Sequence, residues 1–166
     1  TRRSSDLLNF VAQNDATLGW TSGGNIGTFV NQGSFTKISS NGITQVDLPF
    51  TNTGSVVVTS GTLNFTQSFT FTSGSVLLTN NTGIQFAQTL NVPSSGILGG
   101  DGSVIGSVTN GGVLSAGATT GSLIITGDLT LLGTSNFLAQ VGGTFEGVSY
   151  DSVYVTGNAA VGGQLG

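Results

Sequence analysis

The stretch GSVVVTSGTLNFTQSFTFTSGSVLLTNNTGIQFAQTLNV, residues 54–92, carries the same short pattern twice. A Gly-Ser pair opens each copy, and a third copy precedes them: Gly33-Ser34, Gly54-Ser55 and Gly74-Ser75 lie 21 and 20 residues apart. Each pair is followed by three short runs that alternate between apolar and polar residues. The runs are FTKI, ITQV and LPF, then VVV, LNF and FTF, then VLL, IQF and LNV. Between them stand SSNG, TSGT and NNTG, which are turn compositions. Alternation with a period of two over three to five residues, bounded by turn residues, reads as a strand.

Three strands in about twenty residues is the pattern of one coil of a β-solenoid, in which each strand lies under its equivalent in the next coil at about 4.8 Å. One coil cannot bury its own apolar face, and stacked neighbours bury it together. The alternation predicts three inward columns: Phe35, Val56 and Val76; Ile43, Leu63 and Ile84; Phe50, Phe71 and Val92. The competing architecture is an antiparallel sandwich or jelly roll, which also has short strands at regular spacing. A sandwich requires no register between copies twenty residues apart, whereas here the second and third copies match almost strand for strand.

Charge bears out the same economy. Only 6% of the 166 residues are charged, and Ser, Thr and Asn fill most polar positions. Stacked coils place equivalent outward residues side by side, and like charges so placed repel. The regular β-branched and aromatic residues argue against disorder despite 28 glycines. The net charge is −4, and the three basic residues are Arg2, Arg3 and Lys37. No basic stripe exists to neutralise nucleic-acid phosphates or to hold an anionic membrane surface. No apolar run is long enough for a membrane-spanning helix, so membrane insertion is not expected of this chain. Cys, His and Met are absent. That leaves little for oxidants to attack and suits an exposed extracellular protein.

Residues 1–21 differ in texture. In SSDLLNFVAQND, Ser4 or Ser5 is a candidate helix cap, Asp6 lies in the first turn, and Leu7, Leu8, Phe10 and Val11 form an apolar stripe. A short helix or an edge-covering segment is expected there. Solenoid ends need covering, so residues 1–21 read as an N-terminal cap or assembly segment. Trp20 is expected as a packing residue at the junction. Residues 22–166 read as the solenoid, with Phe/Thr-rich coils over 22–95 and Gly-rich coils over 96–166. The final GGQLG reads as the start of a strand. It is expected to continue in a longer protein or to be completed by another molecule.

In the Gly-rich part the chain carries Gly102, Val104, Gly106, Val108, Asn110, Gly111 and Gly112, then Leu114 and Gly117. Gly121, Leu123, Ile125, Gly127 and Leu129 follow, and later Tyr150, Asp151, Val153, Val155, Gly157 and Ala159. This series resembles the passenger-type β-helix of bacterial autotransporters and related secreted repeat proteins. Their pattern runs G-x-G-x-V-x-G-x-V-x-N-G-G, then x-L-x-P-G, then G-x-L-x-I-x-G-x-L, then Y-D-x-L-x-V-x-G-x-A-x-L-x-G. The chain departs from it at Ala116, where Pro is favoured, and at Val161, where Leu is usual. The resemblance covers roughly the last seventy residues. It implies a secreted or cell-surface, right-handed parallel β-helix, and little about activity, because such scaffolds carry adhesins, enzymes and spacers alike.

Chemistry is sparse. The acidic residues are Asp6, Asp15, Asp47, Asp101, Asp128, Glu146 and Asp151. Glycoside hydrolysis usually needs two carboxylates about 5 to 10 Å apart, and no closely spaced pair occurs in the sequence. With neither His nor Cys, no zinc site is expected. GGDG at 99–102 resembles Gly/Asp-rich calcium repeats, but it occurs once, and those sites need stacked copies. Asp101 and Asp128 read as turn residues. Asn64-Phe65-Thr66 and Asn80-Asn81-Thr82 fit the glycan-acceptor pattern, which arises often by chance in Asn/Thr-rich chains. Thr70-Phe71-Thr72 is a T-x-T triplet of the kind that builds flat threonine faces, here read as unrepeated.

No catalytic, cofactor-binding or metal residue is assigned. The expected function is that of a non-enzymatic extracellular or cell-surface structural protein. Its solenoid units would associate head-to-tail with copies of themselves into a fibre, sheath or surface layer. An adhesin or glycan-binding passenger fragment, with polysaccharide or another surface protein as partner, is the alternative. A tailspike-like polysaccharide-degrading enzyme is a third.

Overall fold

The computed structural model describes residues 9–20, 23–24, 26–117, 120–162 and 164–165. They form a parallel β-solenoid, with no helix among them. The first coil holds β1 (Asn9–Ala12) and β2 (Phe29–Asn31), and the second β3 (Ser34–Lys37), β4 (Ile43–Val46) and β5 (Phe50–Asn52). The third holds β6 (Ser55–Val58), β7 (Thr62–Phe65) and β8 (Phe69–Phe71). In the fourth, β9 (Gly74–Phe86) runs round a corner to serve two faces, followed by β10 (Leu90–Val92). In the fifth, β11 (Gly96–Ile105) does the same, followed by β12 (Val108–Asn110). The sixth comprises β13 (Val113–Ser115), β14 (Ser122–Ile125) and β15 (Leu129–Leu131). The seventh comprises β16 (Asn136–Leu138), β17 (Ser152–Val155) and β18 (Ala159–Val161), and β19 (Gln164–Leu165) opens another.

All strand pairs are parallel and join successive coils, so the sandwich alternative falls. The first face stacks β1-β3-β6-β9-β11-β13-β16-β19. The second stacks β4-β7-β9-β11-β14-β17 and is continuous with the first through β9 and β11. The third is broken into β2-β5-β8 and β10-β12-β15-β18. Repeat spacing is kept because the turns before the first face are sterically full. A Cβ on Gly54 would collide with the carbonyl of Gly33, and one on Gly74 with the carbonyl of Gly54. Gly74 also has φ +89°, a conformation that disfavours any other residue. The Gly-Ser marker of the sequence is thus a stack of backbones too close for side chains.

The first predicted column stands: Phe35, Val56 and Val76 are in register and fully buried, and Leu98 and Leu114 extend it. The second is corrected at its base. Leu63 and Ile84 are in register, but the residue below Leu63 is Thr44, and Ile43 faces outward at 52% exposure. Ile43 and Val46 are three apart, so a strand can turn only one of them inward. Val46 takes the place because it aligns with Phe65. The third column is corrected as well. Phe50 aligns with Phe69, Phe71 stands over Asn52, and Val92 has no partner strand below it because the third face is broken there. FTF offers two inward phenylalanines, and the register that stacks Phe69 on Phe50 at 5.4 Å wins.

Phenylalanines fill coils one to four. Phe29, Phe50 and Phe69 stack along the axis at 5.0 and 5.4 Å. Phe65 meets Phe50 edge-on at 4.9 Å and stacks with Phe86 at 5.6 Å. Beyond them the core is aliphatic, through Leu98, Val104, Leu114, Leu123, Ile125 and Leu129. The expected N-terminal helix is corrected where it can be seen. Phe10 and Val11 lie in β1, which pairs with β3, and Phe10 stacks on Phe35 at 4.7 Å. Ser4, Ser5, Asp6, Leu7 and Leu8 lie outside the described residues. Trp20, expected to pack, is 52% exposed.

Candidate interaction surfaces

The carboxylates tie the coils together. Asp101 Oδ1 accepts from the Ser122 amide at 3.3 Å, and Asp128 Oδ1 from the Asn158 amide at 2.7 Å. Asp151 accepts from the Gly121 amide at 2.9 Å through one oxygen and from the Gln140 amide at 3.0 Å through the other. Asp47 accepts from the Thr66 hydroxyl. Except for the Gln140 bond, which lies within one coil, each of these bonds joins neighbouring coils; Asp128 lies in the turn before β15, as expected, whereas Asp101 lies within β11 at the register shift between Gly100 and Gly102. Among the described residues no three of His, Cys, Asp and Glu gather as a metal-binding group. Asn64 is half-buried on the second face, in an outward column with Gln45 and Gln85.

Two buried polar groups were not anticipated. Lys37 is wholly buried inside the second coil. Its ammonium donates to Asp15 Oδ1 at 3.0 Å, Ser40 Oγ at 2.9 Å and Thr44 Oγ1 at 2.9 Å. The hydrogen bonds from Ser40 and then Lys37 hold the Asp15 carboxyl below the usual carboxylate range. The signal was present in FTKI, where alternation from inward Phe35 sends Lys37 inward as well. The second group is a set of buried asparagines at the turn after the third face. Asn31 Nδ2 donates to Asn52 Oδ1 at 2.7 Å, one coil up. Asn110 occupies the equivalent place between Val92 and Leu131. Its Nδ2 reaches the Gly112 carbonyl at 2.9 Å, and its Oδ1 is buried without a partner.

The outer surface offers four features. At one rim β1 and β2 each have a single strand neighbour, beside a hollow lined by Phe10, Ala12 and Leu18. At the other, β17 and β18 each have a single neighbour, and the core opens into a hollow of about 320 Å³ lined by Leu129, Phe137, Val153, Val155 and Val161. The outer side of the third face carries Thr51 under Thr70, and then Asn91, Thr109 and Thr130 in one column. Thr51-Asn52-Thr53 therefore repeats the T-x-T triplet directly below Thr70-Phe71-Thr72. The outer side of the first face mixes Ser34, Thr36, Ser55 and Ser75 with apolar residues, and carries a hollow of about 630 Å³ bounded by Val57, Leu77, Ile97, Val113 and Leu138 together with Asp101, Thr120 and Gln140.

Comparison with protein-family models, curated proteins and solved structures finds no match to this chain. The class of protein is therefore defined by the fold: a parallel β-solenoid.

Proposed function

We propose that this chain is a non-enzymatic, extracellular structural protein, a solenoid unit that associates head-to-tail with copies of itself into a fibre, sheath or surface layer. One observation carries the reading. Among the described residues both rims present parallel strand edges around an apolar interior, and we read the contact that joins coil to coil within the chain as available between chains. Unpaired edges template further strands, and a head-to-tail contact does not close on itself. The scarcity of charge supports stacking without repulsion. The absence of Cys, His and Met and the resemblance to autotransporter passengers support a secreted or cell-surface location.

Negative-stain microscopy of the untagged protein over a concentration series tests this. Filaments are expected whose axial repeat matches one solenoid, about 34 Å for seven coils at 4.8 Å each. Short single rods at every concentration would refute it. A second reading, an adhesin or glycan-binding passenger fragment, is favoured by the Thr and Asn column on the third face. A glycan array showing binding that Thr109→Val and Thr130→Val remove would support it. Among the described residues no arrangement of carboxylates favours the tailspike-like enzyme.

A further inference from the structure

The chain contains two Asn-Gly pairs, Asn41-Gly42 and Asn110-Gly111, and the fold treats them differently. Asn is a thermolabile residue. Its side-chain amide can be attacked by the backbone nitrogen of the residue that follows, and a following Gly, with no Cβ, hinders that nitrogen least. The attack needs a side chain free to swing, a backbone nitrogen not held by a carbonyl of the coil, and water. Asn110 lacks all three. It is wholly buried, its Nδ2 donates to the Gly112 carbonyl at 2.9 Å, and the Gly111 amide donates to the Val92 carbonyl at 2.9 Å.

Asn41 stands at the corner between β3 and β4, where Ser39 takes φ +70°. It is exposed. Gly42 lies in no strand, and among the described residues its amide donates to no backbone carbonyl. The Gly42 backbone instead faces the carboxylate of Asp15, which a Cβ at Gly42 would strike. Asp15 is 45% exposed, so water reaches the corner. Ser60 Oγ lies 2.9 Å from Asn41 Oδ1 and 2.8 Å from the Ser40 carbonyl, and its one proton serves either. Turned to Asn41, that hydroxyl polarises the carbonyl on which the oxyanion forms.

We propose that Asn41 is a site of spontaneous covalent modification, at which the folded chain converts Asn41 to aspartate and isoaspartate while sparing Asn110. The Gly42 nitrogen gives its proton to solvent and bonds to Asn41 Cγ. The bond from Cγ to Nδ2 breaks, and Nδ2 takes a proton and leaves as ammonia. The cyclic imide so formed is opened by water. Opening at Cγ gives aspartate. Opening at the main-chain carbonyl gives isoaspartate, in which the backbone runs through the former side chain. Either product adds a negative charge beside Asp15 to a chain of net charge −4. Isoaspartate also adds a methylene to the backbone where the third coil rests on the second. There the Thr62 amide donates to the Gly42 carbonyl at 2.9 Å, and a Cβ on Gly61 would collide with the Gly42 and Ser40 carbonyls. A longer corner does not fit so close a contact, so the conversion loosens the two coils. The inference is independent of any assembly of the chain.

The test incubates the full, folded chain in mildly alkaline buffer and follows both sites by peptide mapping in a mass spectrometer, with isoaspartate detected by enzymatic methylation. Asn41 is expected to exchange its amide for a carboxylate. Conversion at Asn110 is expected to be at least about a hundredfold slower, because that residue reacts only when its coil opens. In urea, with the fold removed, the two sites are expected to convert at similar rates. The melting midpoint of wild type is expected to fall with incubation, and that of Asn41→Ser to hold. Conversion of Asn41 in the folded chain no faster than that of Asn110 would overturn the inference, as would the same ratio of rates in urea. A melting midpoint that holds while Asn41 converts, or that drifts equally in Asn41→Ser, would overturn the loosening of the coils.

Discussion

Replacing Lys37 by Met separates what its charge does from what its stem does. The side chain is wholly buried, between Ala12 and Val58 in the register of the first face. Its ammonium has three partners, but two are neutral hydroxyls, and Asp15 is 45% exposed. A buried ion suffers a desolvation cost of several kcal/mol, and its replacement by an apolar residue of similar volume is often neutral or stabilising by about 1–4 kcal/mol. Met keeps most of the stem. Asp15 and Ser40 regain water, and Thr44 keeps its bond to the Asn14 carbonyl. Lys37→Met is therefore expected to leave stability unchanged or to raise it by about 1–2 kcal/mol. Lys37→Ala removes three buried methylenes at about 0.8 kcal/mol each. It is expected to fall roughly 2–3 kcal/mol below the Met variant on the same scale. Urea unfolding followed by circular dichroism, with midpoints compared at a common slope, measures both. A Lys37→Met variant destabilised as much as Lys37→Ala would refute the reasoning, since it would make the ion and its hydrogen bonds, not the packed stem, the stabilising element.

The Asp15 carboxyl titrates below its ordinary value in the folded chain, so near pH 3–4 the unfolded chain binds more protons. The stabilisation is complete above about pH 3.9 and is lost as pH falls through the lower folded value. Acid unfolding of Asp15→Asn against wild type should converge at low pH. Asn110 Oδ1 lacks a donor, and in the Asn31–Asn52 pair the lower coil donates upward. Val92→Asn, one coil below, is thus expected to be near neutral, a buried hydrogen bond of about 1–3 kcal/mol offsetting lost apolar burial. Leu131→Asn, one coil above, gains no such bond and is expected to cost at least about 2 kcal/mol by thermal melting. Gly74→Ala meets both a positive φ and the Gly54 carbonyl. It is expected to lower the melting temperature by several degrees, a loss of at least about 1–2 kcal/mol.

The fold was legible because its signal is written in the period. Gly33, Gly54 and Gly74 mark the close approaches between coils, and Phe35, Val56 and Val76 mark the core on either side of them. Register within a run was less legible. ITQV and FTF each satisfy two placements locally, and the neighbouring coil decides between them through Phe65 over Val46 and Phe69 over Phe50. The surfaces were least legible. The hollow beside Gly99 arises from residues in five coils, and no window of sequence holds them together. Which apolar side chains of residues 139–151 stay uncovered depends on how Thr120 and Asp151 tie that segment down.

Among the described residues most side-chain hydrogen bonds reach a residue about twenty or more positions away, in a neighbouring coil. Thr53 donates to the Asn31 carbonyl, Thr59 to that of Lys37, Ser73 to that of Thr53, and Thr134 to that of Gly111. In the Gly-rich half the carboxylates of Asp101, Asp128 and Asp151 do the same work on backbone amides. A coil in such an array is stabilised by its two neighbours more than by itself, so the rim coils, with one neighbour each, are the least stable. Supplying the missing neighbour stabilises the rim by mass action. In the proposed head-to-tail fibre, assembly and folding would draw on the same contacts.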